Sequence, residues 1–557
     1  AGTGGGAAMK ECVAIGTDAL NSTGGVAQQG TVAIGTSAGT AINSANSQFA
    51  VLIGHSCGQS MTTTASGMPN VFIGGVAGQA ATTARGSVYI GYSAGYSVTT
   101  QHDNTYIGYQ SGYLLNGGGG NVAIGTESMR SSGTAADNDA SYNVSVGYRA
   151  GYAMTDSDKS VFVGSYAGQA ITTGRYNTAI GFESLDAEDD GEKSTAVGYQ
   201  TLSAQTGVSG DTLNTAVGYE AGKGITTGIN NTIVGGLCGD AFDTNSDNVF
   251  MGVSAGGGSS ADADKCTAIG RLALSGDVTA DNQVAYGYAA LKSLTTGANN
   301  TAIGYEAAEL LTTGASNVVI GYNALTAASG GENNNVVIGF GAGSAIHNDS
   351  AHHNANVIIG SWAGQGGDGG NITSTVMIGD DCGVGTGTQV SLYNTFVGRG
   401  CAGGTWGGQA SENVAIGYGA FKGACNGSYY NTIIGMEAGN DITTGDGNTV
   451  VGAYSGDKVT TGGGNTYIGY QADASAVDVA DEIILKAGTD ALAGGGTETI
   501  RIGVDSDYIV NDFGENATWT HSSDRRIKKN IVDNDLGLEF VNKLKTRKFQ
   551  KKAPSEY

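Results

Sequence analysis

Asn214–Gly222 reads NTAVGYEAG, Asn300–Ala307 reads NTAIGYEA and Asn465–Tyr470 reads NTYIGY, one short phrase that returns along the chain from Val13 to Gln471. The glycine closing its (V/I)-G step falls at 26 positions, from Gly16 to Gly469, and most intervals are 17 to 20 residues with none shorter than 17. A unit that short has no room for a helix pair. Each copy carries an extended apolar run followed by a small-residue corner, so it reads as one coil of a parallel β-solenoid or β-roll, an all-β fold. At one strand spacing per coil the repeats make a rod of roughly 125 Å.

The slots within the unit have distinct roles. Four residues before the repeat glycine, Asn recurs in 17 of the 26 coils, as at Asn104, Asn231, Asn300 and Asn448. Stacked about 4.8 Å apart, these amides would form a hydrogen-bonded ladder. One residue before the glycine stands Ile or Val, as at Ile34, Ile107, Val217, Ile303 and Ile468. That β-branched column is the expected core. Four residues after the glycine the slot alternates between Gly (Gly39, Gly151, Gly222, Gly439) and a large apolar residue (Leu20, Leu185, Leu274, Phe421). It reads as a turn facing a second packing surface, with Gly supplying positive φ. Linkers such as Ile171–Gly174 and Ile225–Gly228, both ITTG, read as a strand end closed by a glycine turn.

Composition narrows the class. With 97 Gly but only 2 Pro the chain is not collagenous, and 40% hydrophobic residues in regular columns argue against disorder. A formal net charge of −24 disfavours nucleic acid and anionic membrane as partners. No apolar run approaches the length of a membrane-spanning helix and no signal peptide opens the chain. The opening AGTGGGAA lies inside glycine-rich sequence, so the natural N-terminus is expected further upstream.

Candidate sites within the repeats are few. Cys57, Cys238, Cys382 and Cys401 sit three residues after their repeat glycine, where Ala is usual, and Cys12 and Cys266 take the Asn slot. They read as packed thiols rather than metal ligands, and Cys382 and Cys401 share a slot in adjacent coils. Tyr follows the repeat glycine in ten coils, including Tyr92, Tyr219, Tyr305 and Tyr418. Such a column either stacks on sugar rings or, the favoured reading, stacks on itself or fills a seam between subunits. Acidic clusters at Asp186–Asp190 and Asp137–Asp139, the histidines His347, His352 and His353, and GGDGGN at Gly366–Asn371 are weak ion or anion candidates. No cofactor or metal is expected.

The rule changes after about Asp473, giving a repeat shaft over 1–473 and a β-rich connector over 474–521. Strands are expected at Glu482–Leu485, Thr497–Val504, Tyr508–Asp512 and Ala517–His521. From 522 to 557 the chain continues SSDRRIKKNIVDNDLGLEFVNKLKTRKFQ and onward. Ser523, Asp524, Arg526, Lys528 and Ile531, an acidic turn at Asp533–Asp535 and an amphipathic stretch around Leu536–Leu544 resemble the opening of a known family. It is the endosialidase-type C-terminal intramolecular chaperone domain of phage tail spikes and tail fibres. The glycine-rich repeats are similar to those placed ahead of that domain and, more loosely, to the head repeats of trimeric autotransporter adhesins.

The resemblance implies a homotrimer whose chaperone domain aligns three chains and is then released by self-cleavage. Carried onto this chain, Ser523 is the nucleophile, Lys528 its base, and the cut falls at Ser522–Ser523, with Arg525, Arg526 and Lys529 as nearby cations. Only 35 residues run from Ser523 to Tyr557, so the opening alone of an α-containing domain is present. Three functions are consistent with this: a trimeric tail fibre or adhesin of a phage-like particle binding a host-surface receptor or glycan, a bacterial trimeric autotransporter-like adhesin, and a polysaccharide-degrading tailspike. The tailspike would need paired carboxylates lining a groove, and the carboxylates here are scattered among loops. The first reading leads, with a virion or extracellular location, no nucleic acid and no membrane insertion.

Overall fold

A strand of three residues precedes nearly every repeat glycine, and its shortness follows from what comes next. In the computed structural model, which describes residues 9–521 apart from 22–27, 43–48, 63–68, 133–137, 207–208, 259–262, 347–353, 367–370, 386–388 and 515, the strands run from Val13–Ile15 to Thr466–Ile468. Each then meets a glycine at φ between +126° and +146°, which no L side chain adopts easily. Two more left-handed corners follow, two and four residues on, as at Glu220 (φ 52°) and Gly222 (φ 60°), and a third precedes the Asn slot, as at Leu213 (φ 52°). These corners close the coil within about one repeat length. No α-helix occurs among the described residues.

Successive coils stack in parallel and in register: Thr215 pairs with Thr232, Ala216 with Ile233 and Val217 with Val234. Hydrogen bonds join neighbouring coils beyond the strand as well, for example Gly218 N to Val197 O at 2.9 Å and Glu220 N to Tyr199 O at 2.8 Å. The repeat strands belong to one 30-stranded sheet, which continues past the repeats through Ile483–Ala487 and Thr499–Val504, both parallel. Asp507–Asp512 and Asn516–His521 then pair antiparallel and close the edge. The four strands expected in the connector lie within two residues of their expected bounds, and a short fifth, Leu492–Ala493, pairs with Ala472–Asp473.

The core corrects one sequence expectation. The β-branched residue just before the glycine faces outward, and the residue one earlier is buried: Ala302 is fully buried while Ile303 is 36% exposed. The reason is the period of two. With Asn at the strand's entry turned inward, the next inward position is the strand's middle residue, so its two flanking residues point to solvent. Inward columns are therefore the Asn, the strand centre and the residues three, four and seven after the glycine, as in Asn214, Ala216, Ala221, Gly222 and Ile225. The slot four after the glycine is a positive-φ turn as expected, but Leu185 (φ 53°) and Leu274 (φ 51°) adopt it too and point into this same core rather than a second one. The ITTG linkers are bends rather than strand ends, and their isoleucines, Ile171 and Ile225, are core residues.

The Asn ladder is present and binds backbone as well as side chains. Asn300 Oδ1 accepts from Asn317 N at 3.1 Å and from Asn317 Nδ2 at 3.0 Å, while Asn300 Nδ2 donates to Gly314 O at 2.8 Å. Where Ser replaces Asn the hydroxyl keeps the acceptor role, as in Asn177 N to Ser160 Oγ at 3.1 Å. The ladder ends on Glu482, whose N–H donates to Asn465 Oδ1 at 2.9 Å and whose buried carboxylate accepts from Tyr467 Oη at 3.0 Å.

Candidate functional site

Two outward columns flank the glycine column over the length of the stack. Before it stand the aliphatic residues that the strand turns to solvent, with Ile180, Val217, Ile416, Ile434 and Ile468 between 38% and 41% exposed. After it stands the aromatic column, which the corner at the repeat glycine also holds outward; Tyr219 is 55% exposed. Parallel register brings successive rings to stacking distance: Tyr288 and Tyr305 lie 5.0 Å apart, Tyr305 and Tyr322 5.1 Å, and Tyr322 and Phe340 5.0 Å, with interplanar angles of 16°, 11° and 6°. Tyr199 stacks on Tyr219 at 5.2 Å and Tyr92 on Tyr109 at 5.9 Å.

A sugar ring stacks on an aromatic face, and from Tyr288 to Phe340 the facing sides are taken by neighbouring rings. The ladder is self-complementary along the rod. Charged side chains join it in places: Arg149 Nε lies 2.6 Å from Glu127 Oε2, with its guanidinium 5.3 Å from the Tyr148 ring centroid. Such exposed pairs stabilise little on their own.

The other expected residues fall out as follows. Cys57, Cys238, Cys266, Cys382, Cys401 and Cys425 are buried and Cys12 is half-buried, all as free thiols. Burial pushes the Cys57, Cys238 and Cys425 thiols up to about 12, and Cys266 to about 11. Glu188, Asp189 and Asp190 lie close enough to share an ion. However, Glu188 is fully buried and its oxygens already accept from Gly191 N at 2.8 Å and Gln205 Nε2 at 2.7 Å, so its role is structural. Asp137, His347, His352, His353 and most of the GGDGGN stretch lie outside the described residues, as do Ser523, Lys528, Arg525, Arg526, Lys529 and the amphipathic stretch around Leu536–Leu544.

The outward aliphatic column was not anticipated as a surface, although counting by twos from the inward Asn finds it. Comparison with known proteins returned no matching family model and no significantly similar curated protein.

Proposed function

We propose that the chain is the shaft of a fibre in which identical chains associate side by side through the outward strand face. The observation that carries this reading is the continuous aliphatic column, with Ile303, Ile416, Ile434 and Ile468 all more than a third exposed although the sheet is otherwise fully paired. A soluble monomer seldom shows a contiguous apolar patch above a few hundred Å². A stripe roughly 125 Å long and about 10 Å wide offers on the order of 1,000 Å² per chain, more than the ~800 Å² a standard interface takes from each partner.

The number of chains, three, rests on the resemblance of 523–531 to the chaperone opening. So does the setting: a phage-like tail fibre or adhesin that meets a host surface outside the cell. In a precursor extended beyond Tyr557, Ser523 Oγ attacks the carbonyl of Ser522 while Lys528 takes its proton. The Ser523 nitrogen leaves with a proton to give an ester between Ser522 and Ser523 Oγ, and water hydrolyses that ester after assembly to release the C-terminal piece. Ser523→Ala and Lys528→Ala precursors should assemble and keep that piece on a denaturing gel.

Light scattering of the native chain tests the assembly. Three chains per particle are expected, and Ile303→Lys with Ile434→Lys should release single chains that keep their β circular dichroism. A wild-type chain that is monomeric at micromolar concentration overturns the reading.

A further inference from the structure

The second residue after the repeat glycine is a left-handed corner that nevertheless carries a side chain in nearly every coil, for example Ser37, Gln110, Gln200 and Glu306 at φ between 48° and 59°. Glycine replaces it at Gly341, Gly400 and Gly419 only. At Gly341 the space is used, because a Cβ there would lie 2.4 Å from the Trp362 ring. At Gly400 a Cβ would meet nothing within 4 Å, and at Gly419 only Glu437 Cγ at 3.3 Å. Two consecutive coils therefore omit a side chain that packing does not forbid, and the result is a surface cleft of about 280 Å³.

The cleft is lined by complementary chemistry. Tyr418 is 53% exposed and, unlike the laddered tyrosines, has no ring stacked on it among the described residues, because its neighbours in the column are Arg399 and Met436. Its ring borders the cleft. Arg399 spends Nε on Asp380 Oδ2 at 3.2 Å, leaving its terminal nitrogens for a further acceptor. Lys422 makes no ion pair with a described residue, and Asp381 supplies a carboxylate that accepts hydroxyl donors. In a chain with 26 basic against 50 acidic residues, Arg399 and Lys422 balance Asp380 and Asp381 here and stand beside an exposed tyrosine.

We propose that this cleft binds one acidic pyranose, a sugar ring carrying a carboxylate. The ring's apolar face lies on Tyr418, its carboxylate meets the planar fork of Arg399 and the Lys422 ammonium, and its hydroxyls donate to Asp381. A monoanion suits the site better than a phosphate dianion, because Asp381 opposes a second negative charge. The volume fits a single residue of a glycan, at the small end of ligand pockets. Cleft side chains come from the turn after the glycine and not from the strand face, so the site does not depend on the fibre reading.

Titration calorimetry on the full chain with an oligoglucuronate trisaccharide tests it. Binding is expected, at least about tenfold tighter than for maltotriose or for succinate, which separate the sugar from the bare carboxylate. Arg399→Ala, Tyr418→Ala and Gly400→Gln should each weaken it by about tenfold or more while the β circular dichroism is kept. Gly400→Gln is the fold-neutral block, since Gln110 and Gln200 already occupy that corner at φ 53° and 48°. No binding by the wild-type chain, equal binding of maltotriose or succinate, or undiminished binding by the three variants overturns the assignment. Binding that survives in a monomeric wild-type chain would refute the fibre while leaving this site standing.

Discussion

Phe162 and Gly168 share one volume: a Cβ added at Gly168 would lie 2.5 Å from Phe162 Cδ1. One coil later the roles reverse, with Ala179 at the strand centre and Leu185 at the corner, both fully buried. The trade recurs along the stack. Phe72, Tyr89, Tyr106 and Phe250 face Gly78, Gly95, Gly112 and Gly256, whereas Ala196, Ala268 and Ala415 accompany Leu202, Leu274 and Phe421. These coils thus fill one fixed space from either of two sites, and where both are small, as at Ala216 and Gly222, Leu202 and Ile233 of the adjacent coils reach into it.

A double-mutant cycle follows from that trade. Leu185→Gly alone opens a cavity and should cost about 2–5 kcal/mol, and Ala179→Phe alone overpacks at about 1–3 kcal/mol. Together they convert the coil to the pattern of its Phe162/Gly168 neighbour, so most of the loss should return in denaturant unfolding. Additive costs would show that the two slots do not share their volume.

Glycines of the coils should divide into two kinds. At Gly218, φ is +146° and a Cβ would lie 2.3 Å from the carbonyl oxygen of Gly235 in the next coil, so neither the conformation nor the space admits a side chain. Gly218→Ala should cost more than about 3 kcal/mol. Gly400→Ala, at φ 61° with open space beyond, should cost only about 1–2 kcal/mol. Similar losses in melting temperature for both would remove the stacked-glycine explanation of the invariant column.

Much of this was legible in the chain because a solenoid repeats its constraints. The period, the coil count and the Asn ladder all follow from reading one slot many times. The core column was misread for a physical reason: Ile and Val outrank Ala in hydrophobicity, so Ile303 drew attention that belonged to Ala302. Starting from Asn300 and counting by twos gives the right face. The positive φ of Leu185 and Leu274 was not legible as such, because single-residue preferences oppose it and only the stacked neighbours impose it. Nor did composition reveal the cleft at Gly400, which depends on what a missing side chain would have touched.

Asn300→Leu should cost about 1–3 kcal/mol, because it strips partners from Asn317 N and Gly314 O inside the stack. Asn300→Ser should recover part of that, as Ser160 does by accepting from Asn177 N. An unchanged midpoint for Asn300→Leu would mean that water reaches the ladder.

Thiol chemistry offers a separate check on packing. In the native chain at pH 8 an alkylating reagent should modify Cys12 first and leave Cys57, Cys238, Cys266 and Cys425 unreacted, since burial suppresses both access and ionisation. Mass mapping after a short pulse reads this directly. Prompt labelling of Cys57 or Cys238 would place their column at the surface.

Acid should stabilise part of the rod before it harms the rest. Desolvation by partial burial lifts Asp186 to about 6, and desolvation reinforced by neighbouring Asp473 lifts Asp457 to about 6, both from 3.8. A raised folded-state value means the native chain binds the proton more tightly than the unfolded chain does. The cost of holding these carboxylates charged is therefore fully present at pH 7 and is relieved as pH falls from about 6 towards 3.8. Melting temperature should rise from pH 7 to pH 5. Asp186→Asn should raise it at pH 7 and flatten the profile, since the neutral amide no longer gains from protonation. A wild-type curve that falls monotonically through that window, unchanged by Asp186→Asn, would show that both carboxylates are solvated as ordinary surface groups.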